Sequence, residues 1–78
     1  MSVDKKSENE FLEALGAQIR TLRKGKKLTQ ENLAFEVGVN RSQIIRIESG
    51  QQGPGVEILK KIADAYNITL KELFDFEY

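Results

Sequence analysis

LTQENLAFEVGVNRSQIIRIESG, residues 28–50, carries two short apolar stripes separated by a glycine. Leu33, Ala34 and Val37 repeat with the period of one helix face, and Thr29 ahead of them is an N-cap residue, its hydroxyl able to accept from an orphan backbone N–H. Gly38 takes positive φ without steric cost and closes this segment. Asn40 caps the next helix, with Gln43 at the matching position of a capping box and Ile44 and Ile47 facing inward, until Ser49 and Gly50 end it. Only three or four residues join the two helices, Gly38, Val39 and Asn40 among them, so they cross at a large angle instead of lying antiparallel. Ala34, being small, lets the second helix approach closely. Leu33, Val37, Val39, Ile44 and Ile47 fill the wedge, and one helix is held proud of the surface.

Working outward, Ser7 and Glu10 have capping-box spacing, and Phe11, Leu12, Leu15, Ile19 and Leu22 follow on one stripe. A first helix is expected over about residues 8–24, stopped by Gly25, with cations on its open face and residues 1–7 as a flexible tail. Residues 51–55 hold the only proline and two glycines and read as a loop. Ile58, Leu59, Ile62, Ala63 and Tyr66 mark a fourth helix ending at Asn67. Thr69 and Glu72 form another capping box, opening a last helix through Leu70, Leu73 and Phe74, with Phe76 and Tyr78 trailing. Leu28, Val39 and Ile68 precede three of the caps, and Leu33, Ile44 and Leu73 stand at the matching N4 positions, the hydrophobic-staple arrangement. No stretch alternates like a strand, and no hairpin signal occurs. The expected fold is all-α, five helices in a single domain over residues 8–78.

Composition narrows the function. In 78 residues, 40% are hydrophobic and 31% charged, an ordinary balance for a chain that folds. Cysteine and histidine are absent, which removes disulfides, thiolate and imidazole catalysis and the usual zinc ligand sets. No metal or cofactor is expected. With no signal-peptide pattern and no long apolar run, the expected setting is cytoplasmic, away from membranes. The formal net charge is zero, which argues at first against a polyanionic partner, yet Arg20, Arg23, Lys24, Lys26 and Lys27 fall between residues 17 and 30 with no acid among them. The charge is polarised along the chain.

The stretch 28–50 resembles the helix-turn-helix of the lambdoid phage repressors and Cro proteins, the XRE family. It combines Thr29-Gln30 at the start of helix two, the Leu33-Ala34 pair, Gly38 in the turn, and Ile44, Ile47, Glu48 and Gly50 at the end of helix three. The resemblance covers roughly residues 11–74. It implies a five-helix, lambda-repressor-like DNA-binding domain and a transcriptional regulator, in the first instance a repressor, binding double-stranded DNA at a palindromic operator. Phe35 departs from it, standing where the family is often polar, and so does the 51–55 loop, which has no cation.

Carried over position by position, Asn40, Arg41, Ser42, Gln43 and Arg46 match the base-facing positions of the third helix. Arg41 and Arg46 suit this physically, since an arginine can make two hydrogen bonds to guanine O6 and N7 in the major groove. Gln43 has a competing role as a cap. Lys26, Lys27, Thr29, Gln30, Ser49 and Gln51 are the expected phosphate contacts, although the lysines also fit a plain solvated charge run. Arg23 and Glu48 match a structural clamp. Phe11, Phe35, Tyr66 and Phe74 are expected in the core or an interface rather than as a stacking platform. Phe76 and Tyr78, with Leu73, are expected to form a homodimer contact, which would place two third helices on half-sites about 10 bp apart. The alternative is a protein-interaction module or an antitoxin subunit, with a toxin or other protein partner, that keeps the fold with weak or no DNA binding of its own. An enzyme would have to rely on carboxylates such as Asp75 and Glu77, and no catalysis is expected.

Overall fold

The computed structural model describes the backbone from Lys5 to Tyr78 and the side chains from Glu8 onward. Five helices follow one another: α1 (Lys5–Gly25), α2 (Gln30–Val37), α3 (Arg41–Glu48), α4 (Val56–Tyr66) and α5 (Leu70–Leu73). Among the described residues there is no strand.

Thr29, Asn40 and Thr69 cap α2, α3 and α5, each in a two-way box with the residue three positions on, Asn32, Gln43 and Glu72. The boxes satisfy backbone N–H groups that a helix start leaves without partners. Glu72 is held below the usual carboxylate range by the hydrogen bond from the Thr69 backbone N–H, then by the one from the Thr69 hydroxyl, with Lys26 adding a favourable charge. Gly38 ends α2 in the left-handed region at φ 80°, and Asn67 ends α4 there at φ 57°.

Helix α1 departs from expectation at both ends. It is already helical at Lys5, so Ser7 lies within it and cannot be its N-cap; Lys, Glu and Ser side chains impose no break here. Residues 5–7 of the expected tail are thus helical backbone, and residues 1–4 lie outside the described residues. At the other end Gly25 stays in the helix, and Lys27, at φ 60°, makes the left-handed turn. The Lys27 N–H donates to the Lys24 carbonyl at 3.0 Å and the Leu28 N–H to that of Arg23 at 3.1 Å, closing the helix with a lysine where a glycine would be cheaper.

The core comprises Leu15, Ile19, Leu33, Ala34, Val37, Ile44, Ile47, Leu59, Ile62, Ala63, Tyr66 and Leu73. Leu28, Val39 and Ile68, the residues before the caps, pack against it half-buried. Helix α2 packs on α3 and α4, α1 on α3, and α4 on α5. The Tyr66 hydroxyl donates to the Ile19 carbonyl at 2.9 Å, tying α4 to the middle of α1. Leu73 is wholly buried, so it cannot belong to a dimer contact: its N4 position directs it inward. Phe35 is 86% exposed, and so is not a core residue; it follows Ala34 off the buried stripe of α2.

Gly16 fixes the spacing of α1 and α3. A Cβ at that position would stand 2.4 Å from the Ile47 carbonyl oxygen and 2.6 Å from that of Glu48. Only a residue without a side chain lets the end of α3 lie on the backbone of α1.

Candidate nucleic-acid interface

Helix α3 has a buried side of Ile44, Ile47 and Glu48 and an exposed side of Arg41, Ser42, Ile45 and Arg46. Positions 41, 42, 45 and 46 fall on one helical face because residues three and four apart are neighbours. The only acid in the helix is Glu48, and it is turned inward. The outer face therefore carries two guanidinium groups, a hydroxyl and a branched apolar side chain, with no carboxylate.

Glu48 is held by three donors from two directions. Arg23 Nε donates to Glu48 Oε2 at 2.7 Å and Arg23 Nη2 to Glu48 Oε1 at 3.1 Å, the side-on fork suited to a carboxylate. Gln30 Nε2 adds a third bond to Oε1 at 3.1 Å, while Arg23 Nη1 donates to the Leu28 carbonyl at 2.8 Å. This cluster joins the end of α1, the start of α2 and the end of α3. The hydrogen bond from Arg23 to Glu48 raises the guanidinium pKa above its ordinary value against the opposing cost of burial, so the guanidinium stays charged. Among the described residues no buried side-chain nitrogen or oxygen lacks a partner.

Arg41 and Ser42 lie exposed in the first turn of α3 and Arg46 in its last. Asn40 and Gln43 are engaged locally: Asn40 Oδ1 accepts from the Gln43 N–H at 2.8 Å and Gln43 Oε1 from the Asn40 N–H at 3.2 Å. Thr29 Oγ1 likewise accepts from the Asn32 N–H at 3.0 Å, and half-buried Gln30 reaches inward to Glu48. Ser49, at the end of α3, donates from Oγ to the Arg46 carbonyl at 3.1 Å, and Gln51 is exposed in the loop beyond. Lys26 and Lys27 are both exposed.

Three features escaped the sequence reading. Arg20 lines a concavity with Arg23, Leu28, Thr29, Gln30, Glu31 and Arg41, so two exposed arginines from α1 and α3 flank the start of α2, with the Glu31 carboxylate on the same rim. Ile45 is 40% exposed on the outer face of α3; its position, four after Arg41, was the available signal. Gln52 meets Arg46 across the loop, a bond that no spacing rule foretells.

A family model described as helix-turn-helix matches residues 19–73. The chain is 42% identical over 60 residues to the HTH-type transcriptional activator BcrR of Enterococcus faecalis, a match covering 77% of this chain and 29% of BcrR. The chain thus spans under a third of that relative's length. The restriction-modification controller protein C.AhdI of Aeromonas hydrophila superposes with a TM-score of 0.80 at 38% identity, covering 83% of this chain and 98% of C.AhdI. The P22 c2 repressor, solved in complex with a synthetic operator, superposes with a TM-score of 0.74 at 28% identity, over 82% of this chain and 97% of the repressor.

Proposed function

Because this chain belongs to the helix-turn-helix family of phage-repressor type, we propose that it binds double-stranded DNA in a sequence-specific manner as a transcriptional regulator, with α3 in the major groove. The carrying observation is the outer face of α3, which presents Arg41, Ser42, Ile45 and Arg46 and no carboxylate. Arg41 and Arg46 read guanine, Ser42 reads a neighbouring base edge, and Ile45 packs on a thymine methyl. Asn40 and Gln43 act first as the cap that aims the helix, with their amide NH2 groups as base-edge donors. Thr29, Gln30, Ser49, Gln51, Lys26 and Lys27 meet phosphate and fix register without specifying sequence. Arg20 joins them, from the concavity it lines together with Arg41.

The chain acts as a homodimer on a palindromic operator and represses by occupying it. Support for the dimer lies at the C-terminus, where Phe74 is 40% and Tyr78 69% exposed beside half-buried Phe76. Phe74 takes the interface role that buried Leu73 cannot. A sedimentation series is expected to show association that Phe74→Ala abolishes; a concentration-independent monomer, even on operator DNA, would sink the dimer.

Selection from a randomised duplex pool followed by sequencing tests the function. An imperfect palindrome with half-sites about 10 bp apart should emerge. Arg46→Ala should relax one base position by about 1–3 kcal/mol, while Lys27→Ala should weaken all sequences alike and lower the salt slope by about one. No enrichment over the input pool would favour the protein-interaction module instead.

A further inference from the structure

We propose that Gln52 is a positioning residue for Arg46, an inference resting on the DNA-binding reading above. Arg46 Nε donates to Gln52 Oε1 at 3.0 Å. The loop is brought there by the backbone: the Gln51 and Gln52 N–H groups both donate to the Arg46 carbonyl, at 2.9 and 3.3 Å, and the Ser49 hydroxyl donates to the same oxygen at 3.1 Å. Three donors, one from the end of α3 and two from the loop, thus converge on the main chain of the residue whose side chain the loop also holds. Gln52 is half-buried, and its main chain is fixed by the bond to the Arg46 carbonyl.

Chemistry gives this tether a definite consequence. A guanidinium has three nitrogens that can donate, and committing Nε to Gln52 leaves the edge made by Nη1 and Nη2. That edge matches the paired acceptors O6 and N7 of guanine. An arginine held by one edge before binding loses less rotamer freedom when the other meets a base. Arg41 has no side-chain hydrogen bond among the described residues. The two arginines of α3 therefore differ: Arg46 is preorganised for one base geometry, and Arg41 adapts to its neighbours.

The test is selection and sequencing on the full chain as wild type, Gln52→Leu, Gln52→Glu, Arg46→Ala and the Gln52→Leu/Arg46→Ala double variant, with thermal unfolding of each. Gln52→Leu keeps the side chain's bulk and removes the acceptor. It should lower the guanine preference at one position, the one that Arg46→Ala also relaxes, by roughly tenfold, part of what a bidentate contact supplies. Gln52→Glu keeps the acceptor and should retain that preference, and the double variant should add nothing to Arg46→Ala alone. An unchanged position in Gln52→Leu, beside a clear wild-type palindrome, would overturn the inference and leave the DNA-binding reading standing. A uniform loss across all positions with a lowered melting temperature would also overturn it, since that is a purely structural effect. No enriched sequence from the wild-type protein would overturn both.

Discussion

Ile45 breaks the polarity of an otherwise hydrogen-bonding face, and water gains nothing from its 40% exposure. In the proposed complex it covers a thymine methyl. Replacing that thymine with uracil should therefore cost the wild type about 0.8 kcal/mol, the worth of one buried methyl group, and cost Ile45→Ser nothing; titrations of both proteins on both sites would show it, and equal losses would remove Ile45 from the contact. Glu48 belongs to the opposite side of the same helix. Glu48→Ala leaves the buried Arg23 guanidinium without its carboxylate and should destabilise the fold by about 3–5 kcal/mol in urea unfolding, whereas replacing both partners with apolar residues should recover a large part of that. At this scale the sequence was legible wherever a residue obeys a local rule. Thr29, Asn40 and Thr69 cap what they were expected to cap, because their bonds reach only three residues along the chain. Leu73 was misplaced at an interface, and of the two places expected for Phe35 its exposure removes the core: both are large and apolar, and which of them is buried depends on the helix each face meets.

Helix α3 owes its place to α1 as much as to its turn partner α2. Gly16→Ala drives a methyl group into the carbonyls of Ile47 and Glu48, main-chain atoms that cannot rotate away, and should cost about 3 kcal/mol; a denaturant midpoint matching wild type would refute the close approach. Such a variant should lose DNA affinity further than instability alone explains, since the displaced element is the one proposed to enter the groove. The element order was readable in advance, as periodicity and caps are local signals. The start of α1 was not: Ser7 and Glu10 have capping-box spacing, but nothing in that spacing prevents the helix from running on to Lys5. Nor was Gly16 legible, for a glycine inside a helical stripe declares its purpose only when the partner helix is in place.

The molecule as a whole is neutral yet sided. Six of its exposed cations, Arg20, Lys24, Lys26, Lys27, Arg41 and Arg46, fall on α1, α3 and the turn before α2, and Lys60, Lys61 and Lys71 lie exposed on α4 and α5, so zero net charge was a poor guide to the local field. The global pH response should come at the alkaline end through Tyr66. Burial raises its phenol above the ordinary value of about 10, with the Glu48 charge adding to the effect, so the folded chain keeps a proton that the unfolded chain releases. Stability from this group is fully present below about pH 10 and declines as pH rises toward the higher folded value. Tyr66→Phe should remove that decline while costing about 1 kcal/mol for the lost bond to the Ile19 carbonyl, both read from unfolding curves across pH. The division of α3 into a side gripped by Gly16, Arg23 and the core and a side whose residues stay outside the core has a consequence for descent. Positions 41, 42, 45 and 46 can drift without toll on folding, so a duplicated copy of this gene could acquire a new address on the chromosome by a handful of substitutions, its architecture untouched.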